Sequence, residues 1–266
     1  MQIIIFAPFY GCAQCNFFLH KRSVKLPTII NQMLFHEHPL ILLSQIPSMG
    51  GFFWCHACRR HRHGFTYRCD DCISYKFDVQ CCLIPETLKH EGHPHSIFLA
   101  IRYRENCDGC GLRILATFVC TNCKFTLCIR CATLPLLARH QYDTHLLTLT
   151  YTREDDSREY YCLICEEKRD SDHWFYYCVK CDFPAHPRCV VGENPCINFG
   201  RSYTEKDHEH PLTIVQKTKH SPPCDACGKP FDNVALECTQ CKFNIHPRAS
   251  VKWLDCLQKL SKKRVQ

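Results

Sequence analysis

The chain has 266 residues, among them 25 cysteines and 17 histidines, with 33 Lys and Arg against 26 Asp and Glu for a formal charge of +7. At 45% hydrophobic, 12% aromatic and only 10 glycines, it is too apolar and too varied for a disordered or collagen-like polymer. Yet so much cysteine does not suit an enzyme resting on one or two cores of roughly 100–200 residues each, so the composition predicts small stapled pieces.

Spacing decides between disulfides and metal thiolates. Ten Cys-X-X-Cys pairs are present, at Cys12/Cys15, Cys55/Cys58, Cys69/Cys72, Cys107/Cys110, Cys120/Cys123, Cys128/Cys131, Cys162/Cys165, Cys178/Cys181, Cys224/Cys227 and Cys238/Cys241. Two thiolates three residues apart bite one tetrahedral zinc from a tight knuckle, and histidines at fixed offsets complete the shell. The odd cysteine total also does not favour a closed disulfide set. The N-terminal Met1 to Pro8 lacks the basic region and cleavage site of a signal peptide, and no apolar run approaches the ~20 residues of a membrane span. An intracellular protein, cytoplasmic or nuclear, is expected.

A repeat of about 50 residues organises the chain. Residues 1–35 read as a truncated copy, with Cys12, Cys15 and His20 but Ser23 and Gln32 where Cys and His should fall. Residues 36–92 form the first full unit: His38, Cys55, Cys58, Cys69, Cys72, Asp78, Cys81 and His90. Residues 93–142 form the second: His95, Cys107, Cys110, Cys120, Cys123, Cys128, Cys131 and His140. Residues 143–200 form the third: His145, Cys162, Cys165, Cys178, Cys181, His186, Cys189 and Cys196. Residues 201–266 carry the fourth and a basic tail (Lys259, Lys262, Lys263, Arg264): His210, Cys224, Cys227, Cys238, Cys241, His246 and Cys256, with Ala249 where a cysteine is expected. Eight positions per complete unit suffice for two zinc ions.

These residues resemble a known family. The series His-X-His-Pro-Leu (His36, His38, Pro39, Leu40; His208, His210, Pro211, Leu212), the two knuckles, and His-X2-Cys after the second is similar to the plant cysteine/histidine-rich divergent C1 (DC1) domains, over residues 36–256 in four copies. The resemblance implies the cross-braced pair of zinc ions of the protein kinase C-type C1 domain. One series of sites would be His38, Cys69, Cys72, His90; His95, Cys120, Cys123, His140; His145, Cys178, Cys181, Cys196; and His210, Cys238, Cys241, Cys256. The other would be Cys55, Cys58, Asp78, Cys81; Cys107, Cys110, Cys128, Cys131; Cys162, Cys165, His186, Cys189; and Cys224, Cys227, His246 with its fourth position lost at Ala249. About seven to eight zinc ions per chain follow.

The fold expected is small zinc-stabilised modules in tandem, each with short antiparallel strands, knuckles and a short helix. Zinc supplies folding free energy, about 10–16 kcal/mol per structural site in peptides, because about 50 residues bury too little apolar surface. Aromatics before the second knuckle (Tyr67, Phe118, Tyr176) and after it (Phe125, Phe183, Phe243) recur in register, as do Leu40, Ile97, Leu147 and Leu212 after the first histidine; all are expected to pack. Phe65–Arg68 and Trp174–Tyr177 should be strands. Cys82 has no assigned metal. The long bridge between Cys196 and His210 suggests a hinge, with the first three units moving together.

Function is read as intracellular protein interaction, in signalling or stress response, without turnover. A thiol-disulfide oxidoreductase is the rival suggested by Trp54-Cys55-His56-Ala57-Cys58, and a ubiquitin ligase is the weakest alternative. Asp225 or Glu237 beside the fourth unit's vacancy would be the base of a catalytic zinc, although decay of one repeat explains Ala249 more simply. A lipid sensor would need the Gln-Gly pair that opens the diacylglycerol groove of the parent family, and those places read Thr66-Tyr67-Arg68, Thr117-Phe118-Val119, Phe175-Tyr176-Tyr177 and Ala235-Leu236-Glu237. Nucleic acid is not expected either. The run Arg59-Arg60-His61-Arg62-His63 reads as a solvated loop, and 22 thiolates against eight zinc ions bring the net charge from +7 to roughly +1.

Overall fold

A computed structural model describes residues 9–12, 17–20, 25–44, 52–72, 74–101, 105–114, 116–155, 158–194, 197, 199–205, 208–217, 221–231 and 233–247. Cys15, Ser23, Cys196, Ala249, Cys256 and the basic tail lie outside these residues, as do the side chains of Cys12 and His20.

Short antiparallel strands succeed one another. β1 (Phe9–Cys12) and β2 (Phe17–His20) make a hairpin with Cys12 opposite Phe17. β3 (Ile29–Ile30) pairs with β4 (Leu40–Leu43), and β5 (Phe52–Trp54) with β6 (His61–His63). Then come β7 (Thr66–Cys69), β8 (Lys76–Asp78) and the helical turn α1 (Val79–Cys82). The second module is a sheet in sequence order, β9 (Thr87–Lys89), β10 (Ser96–Ile101), β11 (Ala116–Cys120) and β12 (Thr126–Cys128), followed by α2 (Ile129–Ala132).

The third module repeats this with β13 (Leu137–His140), β14 (Asp143–Thr150), a small hairpin of β15 (Tyr160–Tyr161) and β16 (Lys168–Arg169), then β17 (Phe175–Cys178), β18 (Phe183–Ala185) and α3 (Pro187–Val191). The fourth has β19 (Ser202–Glu205), β20 (His208–Gln216), β21 (Val234–Cys238) and β22 (Phe243–Ile245) in one sheet.

The expected strands over 65–68 and 174–177 appear one residue later, as β7 and β17. The first cysteine of every second knuckle ends a strand: Cys12, Cys69, Cys120, Cys178 and Cys238. Each sheet starts before the first histidine of its module, so β9 and β13 fall in what the sequence assigned to the preceding unit. His90 and His140 therefore sit at hairpins leading into the next sheet, not at the end of the module before.

The repeated apolar positions form the core: Leu40, Ile97, Leu147, Leu212, Tyr67, Phe118, Tyr176 and Leu236 are all buried. Alternation on a strand turns these residues inward while their neighbours face out.

Contacts divide the chain into two units. In the first (1–42, 68–73 and 80–192), the second and third modules share one cluster running from Ile97, Phe118 and Leu127 through Trp174 to Leu147, Tyr176 and Val190. The backbone N–H of Trp174 donates to the carbonyl of Gly109 (3.0 Å), and a Cβ on Gly109 would come within 3.1 Å of both Leu127 and Trp174, pressing on the seam between the two modules.

In the second unit (43–67, 74–79 and 193–266), Phe52 of the β5–β6 hairpin joins Ile197, Leu212, Ile214 and Leu236 and meets Tyr203 edge-on. The expected grouping of the first three modules is corrected in one respect: the second and third share a unit, but a hairpin of the first shares its unit with the fourth; within the bridge after Cys196, residues 202–205 are a strand. The Arg59–His63 run is also corrected. His61 and Arg62 are 2% and 4% exposed because β6 packs inward, His61 lying against Trp54 and donating its backbone N–H to Asn194 Oδ1.

Candidate metal centres

The first knuckles are built alike. The N–H of each first cysteine (Cys55, Cys107, Cys162, Cys224) donates to the carbonyl five residues on, and the N–H of Arg59, Gly111, Glu166 and Gly228 returns to the carbonyl of that cysteine. All four returning residues have positive φ, 54°, 69°, 59° and 71°, so the turn that brings two thiols together needs one left-handed residue after them. The residue after the first cysteine then donates to the strand beyond the second knuckle: His56 to Lys76, Asp108 to Thr126, Leu163 to Pro184 and Asp225 to Asn244. That bond brings the first knuckle to the ligands that follow the second.

Two inner groups result in the first unit. Cys107, Cys110, Cys128 and Cys131 converge, with Cys110 and Cys128 Sγ atoms 3.8 Å apart. Cys162, Cys165, His186 and Cys189 do likewise, His186 Nδ1 lying 3.4 Å from Cys165 Sγ and 3.9 Å from Cys189 Sγ. Cys128 and His186 are the N-caps of α2 and α3, and neither side chain caps its helix; each is turned to the group instead. The fourth ligand, three residues on, lies on the same side of the turn. The N–H of Asp78, Cys128 and His186 donates to the first thiol of its module (3.2, 3.2 and 3.4 Å), which favours the thiolate.

Asp78 also faces the buried Arg62, Oδ2 to Nε 3.5 Å, and Arg62 Nη2 reaches Cys58 Sγ at 3.6 Å. Cys81 is buried. In the fourth module Cys224, Cys227 and His246 are buried, His246 against Phe231.

The outer groups differ from the sequence expectation. His38, Cys69 and Cys72 are joined by His36, not His90; His95, Cys120 and Cys123 by His93, not His140; and His145, Cys178 and Cys181 by Asp143. Geometry explains this. Asp143 and His145 open β14 and, two apart on a strand, face the same way, and His36/His38 and His93/His95 keep that spacing just ahead of β4 and β10, whereas His90 is stacked on Trp174 (5.1 Å) and accepts the Gly92 N–H at Nδ1, and His140 is buried against Tyr142 with the same turn bond. The signal was present as His36-Glu-His38, His93-Pro-His95, Asp143-Thr-His145 and His208-Glu-His210. The inner histidine of each pair presents Nδ1 to the second cysteine: His38 to Cys72 (3.4 Å), His95 to Cys123 (3.9 Å), His145 to Cys181 (3.1 Å) and His210 to Cys241 (3.1 Å). Nε2 of His36 lies 3.3 Å from His38 Nδ1, and Nε2 of His93 lies 3.4 Å from Cys123 Sγ.

These separations, from 3.1 to 3.9 Å, bracket those around a zinc ion. With Zn–S about 2.3 Å and Zn–N about 2.0–2.1 Å, tetrahedral ligands lie roughly 3.3–3.8 Å apart. The protonation pattern of the four-cysteine group fits a cation as well. Bonding to Cys107 holds Cys110 far below the ordinary thiol range and pushes Cys128 and Cys131 well above it. Without a cation the group must keep protons, and a divalent metal lets all four become thiolates. Every cysteine whose side chain is described is free of disulfide bonds. Trp54-Cys55 opens a turn after β5, not a helix. Asp225 accepts the Asn244 N–H, and Glu237 pairs with Lys217. Cys82 is buried and its carbonyl accepts from Gln32.

The sequence profile of the C1 domain matches residues 34–82, 140–190 and 206–248, just over half of the chain. The span between the first two matches holds the four-cysteine group and the second module, built on the same plan. No curated protein and no solved structure matches. Among the described residues no helix is long and apolar enough to cross a membrane.

Proposed function

The chain belongs to the C1 domain family, and from that premise we propose that this zinc-binding tandem array is an intracellular protein-interaction module, acting in signalling or stress response without turnover of its own. The observation that carries this is burial. All the residues at the places where a diacylglycerol groove would open lie within strands β7, β11, β17 and β21, and Thr66, Tyr67, Thr117, Phe118, Tyr176, Ala235 and Leu236 among them are at 0% exposure. Such strands leave a lipid glycerol no backbone to bond.

Apolar side chains lie elsewhere on the surface: Leu137, Tyr142 and Leu146 of the β13–β14 hairpin are 50%, 63% and 46% exposed, the sort of surface that protein partners cover. Near-neutral charge once metallated argues against nucleic acid. Grouping of the Cys-X-X-Cys pairs with further Cys and His ligands favours structural zinc over redox cycling. Seven to eight zinc ions per chain belong to this reading.

Proximity labelling in cells, comparing the natural chain with a Leu137→Glu, Leu146→Glu variant, tests it. A set of neighbours lost in the variant, whose zinc content is unchanged, is the expected outcome. Saturable binding to diacylglycerol vesicles or salt-resistant binding to DNA would overturn it, as would turnover of a dithiol-dependent disulfide substrate.

A further inference from the structure

In the outer group of the third module, the place held by His36 and His93 in the first two is taken by Asp143. Its side chain is 1% exposed. Oδ1 accepts the His145 N–H at 2.9 Å and lies 3.1 Å from His145 Nδ1 and 3.3 Å from Cys181 Sγ. Oδ2 is buried with no hydrogen-bond partner. A carboxylate taken out of water with one oxygen unpaired is costly, and a cation at the point where these donors converge removes that cost.

Two roles compete for this carboxylate. As a positioning group it would accept a hydrogen bond from one ring N–H of His145 while the other nitrogen held the metal, the usual carboxylate–histidine–metal arrangement. Here the nitrogen facing Asp143 is Nδ1, the same atom that lies 3.1 Å from Cys181 Sγ, and Nδ1 is also what His38, His95 and His210 turn toward their cysteines. Once Nδ1 holds metal it carries no proton to donate. Asp143 is then a ligand beside His145 and not an orienter behind it.

We propose that Asp143 is the fourth protein ligand of the third module's outer metal, giving an Asp-His-Cys-Cys centre that does not use Cys196. This rests on the zinc reading above and deepens it. With one carboxylate and two thiolates around a dication, the centre carries a formal −1, where a His-His-Cys-Cys centre is neutral. Its donor set is harder, and the free second oxygen allows the carboxylate to bind through one atom or two.

The test uses the full chain loaded with Co²⁺, read by native mass spectrometry and by its visible d–d bands, in Asp143→Ala, Asp143→His and Cys196→Ser variants. Asp143→Ala should lose one equivalent of metal or shift the bands, Asp143→His should restore the equivalent with a band shape nearer to a two-histidine centre, and Cys196→Ser should leave both readouts unchanged. Restoration by histidine separates a lost ligand from a module that failed to fold. If Cys196→Ser loses the equivalent and Asp143→Ala keeps it with unchanged bands, the proposal is wrong. If the unaltered chain takes up no metal, the zinc reading itself falls, and this proposal with it.

Discussion

The two ligand groups of the second module are made of similar parts and do different work. Cys107, Cys128 and Cys131 are 1%, 0% and 3% exposed and belong to the core shared with the third module. His93, His95, Cys120 and Cys123 stand at strand ends, with His95 and Cys123 exposed. The inner group ties a knuckle, a strand and a helical turn into one body, so its metal is part of the hydrophobic core. The outer group closes the open ends of two strands. Chemistry can drift at the second without unmaking the first, which is where His gives way to Asp143.

The largest effect should come from the inner group. Cys107→Ser removes a site whose metal supplies about 10–16 kcal/mol by peptide precedent, against a whole-domain stability of about 5–15 kcal/mol. Hydrogen exchange should rise across both the second and third modules, because Trp174 rests on the Gly109 turn between two of the lost ligands. Exchange confined to residues 93–142 would show that the shared core does not couple them.

Next is the seam itself. Trp174→Ala should cost about 3–5 kcal/mol with every metal retained, seen as a lowered Tm at unchanged zinc content. Loss of zinc from this change would show that packing, not ligands, holds the centres.

A smaller effect is expected at the outer group. His93→Ala should lose one zinc ion and raise exchange only near His93–His95 and Cys120–Cys123, while His140→Ala keeps the full complement. The reverse assignment would restore the ligand set expected from the repeat alone.

The smallest is a pH effect. Burial lowers the pKa of His90, so the native state holds it neutral on Trp174 while the unfolded chain takes up a proton near pH 6.5. The folded state therefore binds fewer protons, and stability falls as pH drops from about 6.5 toward the lowered native value. His90→Gln should flatten that slope in denaturant titrations at fixed zinc; an unchanged slope would remove His90 from the account.

Much of this was legible in the spacing. The knuckles, the inner ligand sets of the second and third modules and the inward stripe from Leu40 to Leu212 follow from positions that repeat, because each repeats for a local reason. Closure of the outer groups was not legible in the same way. A tetrahedral site with three ligands in hand can be finished from either flank, and His90 and His140 kept as regular a spacing as His36 and His93. What decides is the hairpin from β9 to β10 and from β13 to β14, which turns the earlier histidine onto aromatic neighbours. Burial of Arg62 and His61 was hidden because a run of cations reads as surface until its partners, Asp78 and Asn194, are brought to it by distant parts of the chain.

Stepwise removal of metal from the full chain tests the contrast between inner and outer groups most directly. Under reducing conditions, a chelator is titrated in, ions are counted by native mass spectrometry, and exchange is followed at Cys107–Gly111 and Cys128–Ala132 for the inner group and at His93–His95 and Cys120–Cys123 for the outer one. The outer group should open first, with the first ions lost while Cys107–Gly111 and Cys128–Ala132 stay protected, and global unfolding should coincide with the last. Early loss of protection at Cys107–Gly111 and Cys128–Ala132, with His93–His95 and Cys120–Cys123 still closed, would contradict the division of work between the two groups.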